Sequence, residues 1–250
     1  MVNKKLNTVA IILARGGSKG IPKKNVKDFC GRPLLLWTLN QLKSGQLGAA
    51  KGGTFTHIWV SSDNEEILDL ADSVGVNGIR RPPDISDDCA TSESGWLHAI
   101  NVIEERHGKV DLVVAPQVTS PVRSYKDFDN AINKFTACGC DSMFSATYAV
   151  GLYMWSRLDD GTLKCEGYDS TNPNRRRQDM HGVRYIENGS FYLFTPQAIR
   201  TTGTRFGKDI EVFEMPRWKS FEIDDPEDFK FCEMIAKTYL PNQFMQGMKQ

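Results

Sequence analysis

Residues 8–25 read TVAIILARGGSKGIPKKN, an uninterrupted apolar run that breaks into a loop rich in glycine and cations. A short run with no polar alternation, rich in β-branched residues, reads as a strand over Thr8–Ala14 buried on both faces. Such strands belong to parallel sheets covered by helices. The loop behind it holds Gly16, Gly17 and Gly20, and Arg15, Lys19, Lys23, Lys24 and Lys27 place five positive charges within thirteen residues. Glycines open positive φ to the backbone and let its N–H groups approach a ligand. Successive N–H groups in such a turn form an anion-binding concavity. A solvated basic turn would need no ligand, but three glycines, a proline and five cations directly after a buried strand point to a polyphosphate. The loop has neither the Gly-x-x-x-x-Gly-Lys-Ser/Thr spacing of a P-loop nor the Rossmann dinucleotide spacing.

Further along, apolar runs alternate with helical patterns. A helix is expected over about 32–43, a strand over His57–Ser61, and a helix capped by Asp63 with Glu66 as its partner. A helix over about 92–106 leads to a strand at Asp111–Ala115, and Ser124 with Asp127 opens another capped helix ending near Phe135. This β-α-β-α order argues for an α/β fold with a parallel, helix-covered sheet. Residues 148–182 break the pattern with short aromatic runs, and Asp160-Gly161 signals a hairpin turn. Regular patterning returns with a strand at Gly189–Phe194 and a final helix starting at Pro226 behind Asp225. The domain reading is a core of 1–147 and 183–250 with 148–182 inserted as an excursion.

Composition narrows the class further. Forty per cent apolar and 25 per cent charged residues suit a soluble globular chain, and zero net charge over 250 residues gives no broad nucleic-acid-binding surface. The apolar run at 9–14 is too short for a signal peptide, and no stretch approaches the roughly 20 residues of a membrane span. Six scattered cysteines lack the spacing of a zinc site, so reduced thiols in a cytoplasm are expected. The four histidines form no spaced metal set, and no nucleophile arrangement of the Ser/His/Asp or Cys/His kind is present.

The loop ARGGSKGIPKKN resembles the signature of the acylneuraminate cytidylyltransferases, also called CMP-sialic acid synthetases. The resemblance continues in family order through Arg81-Pro82-Pro83, Ala90-Thr91-Ser92, PQVTSPVR at 116–123, Arg177-Gln178, Glu187-Asn188-Gly189 and Glu222-Ile223-Asp224-Asp225. It implies a Rossmann-like three-layer αβα fold of the nucleotide-diphospho-sugar transferase type, with 148–182 as a dimerisation extension and the protein a homodimer. It also implies attack of the anomeric hydroxyl of a nine-carbon sugar acid on the α-phosphate of CTP, with release of diphosphate. N-acetylneuraminic acid is the default acceptor. Legionaminic and pseudaminic acids are alternatives, followed by a CMP-Kdo synthetase, a sugar-1-phosphate nucleotidyltransferase or a non-catalytic nucleotide-binding protein.

The resemblance implies nucleotide contacts from Arg15, Lys24 and Asn25, with Gly16 and Gly17 in the same cradle; Lys19 and Lys23 are equally placed by sequence. Thr91 and Ser92 are implied to face cytosine, although either is also a natural N-cap for the following helix. Gln117 lies just past a strand, where open parallel sheets bind ligands, and Arg123 is either a site residue or a brace for that loop. Arg177 is implied to grip the sugar carboxylate in a bidentate pair, with Asn188 bonding the sugar or orienting its loop. For Mg²⁺ or Mn²⁺, Glu222 and Asp224 read as alternate residues at a strand end, on one face about 7 Å apart. Asp224 is the safer ligand, because the family usually carries aspartate where this chain has Glu222.

Overall fold

The computed structural model describes residues 6–48, 54–149, 154–166 and 183–244. The chain opens with β1 (Thr8–Leu13), followed by the two-residue strands β2 (Asp28–Phe29) and β3 (Arg32–Pro33) and by α1 (Leu34–Gly48). Next come β4 (His57–Ser62), α2 (Glu65–Asp72), β5 (Asn77–Arg80), α3 (Ser92–His107) and β6 (Leu112–Pro116). Then follow α4 (Tyr125–Cys138), β7 (Ser142–Tyr148), β8 (Met154–Arg157), β9 (Leu163–Glu166) and β10 (Tyr185–Phe194). The chain continues through α5 (Pro196–Thr202), β11 (Ile210–Glu214), α6 (Pro226–Tyr239) and α7 (Pro241–Phe244).

The main sheet has the order β11-β7-β10-β6-β1-β4-β5. β10 runs antiparallel to both neighbours, and the other pairings are parallel. The strand order reverses at β1, which lies between β4 and β6. In β1, Ala10 and Ile12 pack with α1, α2, α4 and α6, whereas Val9 and Ile11 pack with α3 and α5. Both faces of the strand are thus covered, giving the three layers that the apolar run implies.

Several caps follow the sequence reading. Asp225 caps α6 with Asp228 in a capping box, Ser124 and Asp127 do the same for α4, and Thr91 caps α3 by accepting from Ser94 N. Elsewhere the structure corrects it. Asn64, not Asp63, caps α2, because Asp63 turns back to accept the Gly16 N–H at 3.0 Å. None of Gly16, Gly17 and Gly20 uses positive φ, and the left-handed residue of the loop is Lys23 (φ 53°). Glu222–Asp224 joins no strand; Ile223 N donates to Thr119 O at 2.8 Å and its side chain enters the core.

The excursion leaves the sheet at the end of β7 and returns at β10, where Tyr148 pairs with Tyr185 and Ala149 N donates to Arg184 O at 2.9 Å. Within it, β8 and β9 form the expected hairpin around Asp160-Gly161. Arg175, Arg176, Arg177, Gln178, Tyr153 and Tyr168 lie outside the described residues.

Candidate functional site

Beyond the carboxyl ends of β1, β4 and β6 lie two adjoining cavities. One, of about 320 Å³, is lined by Arg81, Ser86, Asp87, Thr91, Ser92 and Gln117 among others. The second, of about 280 Å³, is lined by Lys19, Gly20, Lys24, Asn25, Thr119 and Asp224 among others. Leu13, Arg15 and Gln117 line both, so β1 and β6 place one cation and one amide at the junction.

The loop after β1 is shaped by close approach. A Cβ at Gly16 would press on Asn64, and one at Gly20 would collide with the carbonyl oxygen of Asp224. Gly17 faces open space. Asn25 is buried and donates from Nδ2 to Arg15 O at 2.9 Å, so its amide holds the loop that carries Arg15. Lys24 donates to Ile223 O at 2.6 Å and stands 3.6 Å from Asp224 Oδ1. Arg15 and Lys19 both reach Asp88, at 2.9 and 2.8 Å, and Lys23 pairs with Glu66 at 2.8 Å.

The two acidic candidates have different surroundings. The Asp224 side chain is 77% exposed. Glu222 is half-buried, with its carboxyl in the space that a Cβ on Gly189 (φ +59°) would occupy. Desolvation, aided by the negative charge of Asp224, raises the Glu222 pKa to about 7, and Lys24 acts in the opposite direction. Among the described residues, no group of three or more His, Cys, Asp and Glu side chains is placed to hold a metal ion.

Asn188 is buried. Its Oδ1 accepts from Ser145 Oγ at 2.7 Å and Ser190 N at 3.2 Å, and its Nδ2 donates to Ser220 Oγ at 3.0 Å. It therefore orients the bend that sets Gly189 under Glu222. Arg123 is a brace: wholly buried, it donates to the carbonyls of Ser120, Ser190 and Gln117 at 2.7, 2.7 and 2.8 Å. Thus Arg15, Lys24, Asn25, Thr91, Ser92, Gln117 and Asp224 come together at the cavities, with Gly16 and Gly17 in the adjoining loop.

Sequence reasoning assigned no role to Arg81 or Asp88. Arg81 is buried, lines the first cavity, donates to Ser86 Oγ at 3.1 Å and has its pKa lowered by burial. The acidic pair Asp87-Asp88, between two motif blocks, was the available signal. A second unread group is Arg205, stacked 4.4 Å over the Tyr192 ring and paired with Glu93 at 3.0 Å. The Tyr192 hydroxyl donates to the Glu187 carboxylate, and burial together with this contact raises the tyrosine pKa.

A three-layer αβα sheet that gathers cations and amides beyond its strand ends, at a reversal of strand order, is an open α/β protein with a ligand crevice at its switch point. Two solved structures share this fold. One is a CMP:2-keto-3-deoxy-manno-octonic acid synthetase complexed with CTP (TM-score 0.62, 14% identity, 92% of this chain and 98% of that one). The other is 4-diphosphocytidyl-2C-methyl-D-erythritol synthase from Anaerococcus prevotii (TM-score 0.61, 14% identity, 93% and 99%).

The cytidylyltransferase family model matches residues 9–249, and the chain belongs to that family. Among its relatives, N-acylneuraminate cytidylyltransferase A of Danio rerio is 34% identical over 231 residues, covering 90% of this chain and 49% of that protein. The pseudaminic acid cytidylyltransferase of Campylobacter jejuni is 29% identical over 237 residues, covering 93% and 97%. The chain spans about half the length of the vertebrate relatives that it matches.

Proposed function

We propose that this chain transfers the cytidylyl group of CTP to a nine-carbon sugar acid, with N-acylneuraminate as the acceptor, releasing diphosphate. The observation that carries this reading is the pair of cavities sharing Arg15 and Gln117. One is walled by hydroxyls and Arg81 at the N-terminus of α3 and suits a pyrimidine. The other gathers Arg15, Lys19 and Lys24 and suits a polyphosphate, so the α-phosphate would lie at the junction. The chain's contribution is positioning and charge neutralisation, which supply most of the rate in phosphoryl chemistry.

Asp224 fits a divalent cation: it is exposed, beside the cationic cavity, and Mg²⁺ typically takes one or two carboxylates together with phosphate oxygens and water. Mg²⁺ or Mn²⁺ held there would neutralise phosphate charge. Glu222, drawn back over Gly189 and a weakened acid, fits a supporting role. Arg177 is assigned to the acceptor carboxylate on its motif.

The homodimer is proposed through the β8–β9 hairpin. Met154 and Leu163 there are 71% and 56% exposed, and apolar patches of this kind mark interfaces. A cytoplasmic setting agrees with the six cysteines, all free thiols. No helix among the described residues is long and apolar enough to cross a membrane.

A second reading, with pseudaminic acid as acceptor, draws on the match to nearly the whole of the Campylobacter jejuni protein. Diphosphate release from each nucleoside triphosphate, against a panel of sugar acids with and without Mg²⁺, tests both readings. Strict CTP preference with an N-acylneuraminate supports the first. Turnover confined to pseudaminic acid selects the second, and equal use of all four nucleotides refutes both.

A further inference from the structure

The two outermost cations of the phosphate cavity share one carboxylate. Arg15 Nη1 lies 2.9 Å from Asp88 Oδ1, and Lys19 Nζ lies 2.8 Å from Asp88 Oδ2, so each oxygen faces one cation. Arg15 Nη1 also reaches Asp87 O at 3.4 Å. The turn that presents Asp88 is held by other groups. Asp87 Oδ1 accepts from Cys89 N and Ala90 N at 3.0 and 2.8 Å, and Ser86 Oγ donates to Pro82 O at 2.7 Å. Asp88 is thus a side chain that can leave its partners without unmaking its loop.

We propose that Asp88, which lines the neighbouring cavity and reaches across to Arg15 and Lys19, is a built-in counter-anion of the polyphosphate cradle, displaced from both cations by the incoming triphosphate and returning to them as diphosphate departs. The proposal rests on the reading of this cavity as the nucleotide site.

A carboxylate and a triphosphate cannot hold the same donors, because like charges at contact repel and each cation offers few N–H groups toward the cavity. In the free protein, Asp88 keeps two mutually repelling cations gathered at the mouth. Both cations also favour the ionised form of Asp88, with the Lys19 hydrogen bond contributing most. The exchange discriminates by charge and length. A single phosphate would replace one anion by another with little gain, whereas a triphosphate can also extend toward Lys24. The same competition would speed release of the diphosphate product.

Calorimetric titration of the full chain with inorganic triphosphate, diphosphate and phosphate at low ionic strength tests this. The variants are Asp88→Asn, Asp88→Ser, Arg15→Ala with Lys19→Ala, and the triple combination with Asp88→Asn. Removing two exposed ion pairs should tighten triphosphate binding about three- to tenfold in both Asp88 variants. Phosphate affinity should rise, diphosphate should become the stronger product inhibitor, and high salt should erase the difference. In the Arg15→Ala/Lys19→Ala background, Asp88→Asn should have no further effect. If the double variant loses triphosphate binding while both Asp88 variants bind no tighter than wild type, the cradle stands and the displacement is refuted. If the double variant binds triphosphate normally, the nucleotide reading of the cavity falls with it.

Discussion

Replacing Arg123 by methionine probes the framework beneath the site. Arg123 is wholly buried, and its guanidinium bonds three carbonyl oxygens together with Thr38 Oγ1 at 3.0 Å. Those carbonyls belong to the loop after β6 and to β10, and methionine can satisfy none of them. An orphaned buried acceptor costs about 1–3 kcal/mol. Ser120 O would be orphaned, whereas Gln117 O and Ser190 O keep the Ser120 and Gln117 N–H groups at 3.4 and 3.0 Å and lose only their charge-assisted partner. Offset by relief of a buried charge, the total is about 2–4 kcal/mol. At about 2–4 °C per kcal/mol for a chain of this size, the melting temperature should fall by about 5–15 °C. Arg123→Lys should fall in between, since one ammonium cannot span the same carbonyls. Thermal unfolding followed by far-ultraviolet circular dichroism measures both. Gln117 is held through its carbonyl, so KM for nucleotide should also rise at temperatures where the variant stays folded. A methionine variant melting within about 3 °C of wild type would show that the loop is held by other contacts and refute the argument.

Gly20→Ala should lower the melting temperature and displace Asp224, because its Cβ meets the Asp224 carbonyl, whereas Gly17→Ala faces open space and should leave stability within about 0.5 kcal/mol. Comparable melting of the two variants contradicts the close approach. Glu222 has a folded pKa raised from 4.5 to about 7, so its protonated form is favoured in the fold. The associated stability is complete below about pH 4.5 and is lost as pH rises through about 7. Urea titrations should therefore show Glu222→Gln gaining about 2 kcal/mol on wild type between pH 5 and 8, after allowance for partial solvation; a gap independent of pH excludes the shift. Asp224→Asn should cost far more turnover than Glu222→Gln in Mg²⁺ titrations. Equal, minor losses would place the cation elsewhere.

The elements that announce themselves in the sequence are those whose pattern is local. β1 is legible because the nine consecutive residues 6–14 lack a charge, and the capping pairs of α4 and α6 lie within one turn. β5 is four residues including Asn77 and Gly78 at the sheet edge, paired only to β4, so it carries no hydrophobic signature. β7 hides for the opposite reason. Its buried Ser142, Ser145 and Thr147 look like loop residues until Ser145 is seen bonding Asn188, 43 residues away. The same distinction holds at the site. Arg15, Lys24 and Asn25 sit in one loop and were readable together, but the pairing of Arg15 with Asp88 crosses 73 residues. The surroundings of Glu222 depend on Gly189 in β10, 33 residues away, which no local window contains.

The strand that runs against its neighbours has a further consequence. Because β10 is antiparallel to β7, the chain leaves and re-enters the sheet at adjacent points, joined by Ala149 N to Arg184 O and facing the same side as the cavities. Tyr148 and Tyr185 stack there with ring centroids 5.4 Å apart, and both hydroxyls donate to Glu214 at the end of β11. Such a clasp isolates whatever lies between its two ends from the register of the sheet. The β8–β9 hairpin can therefore change in length and sequence, by descent or by design, while β1 and β6, which bring Leu13, Arg15 and Gln117 to both cavities, stay intact.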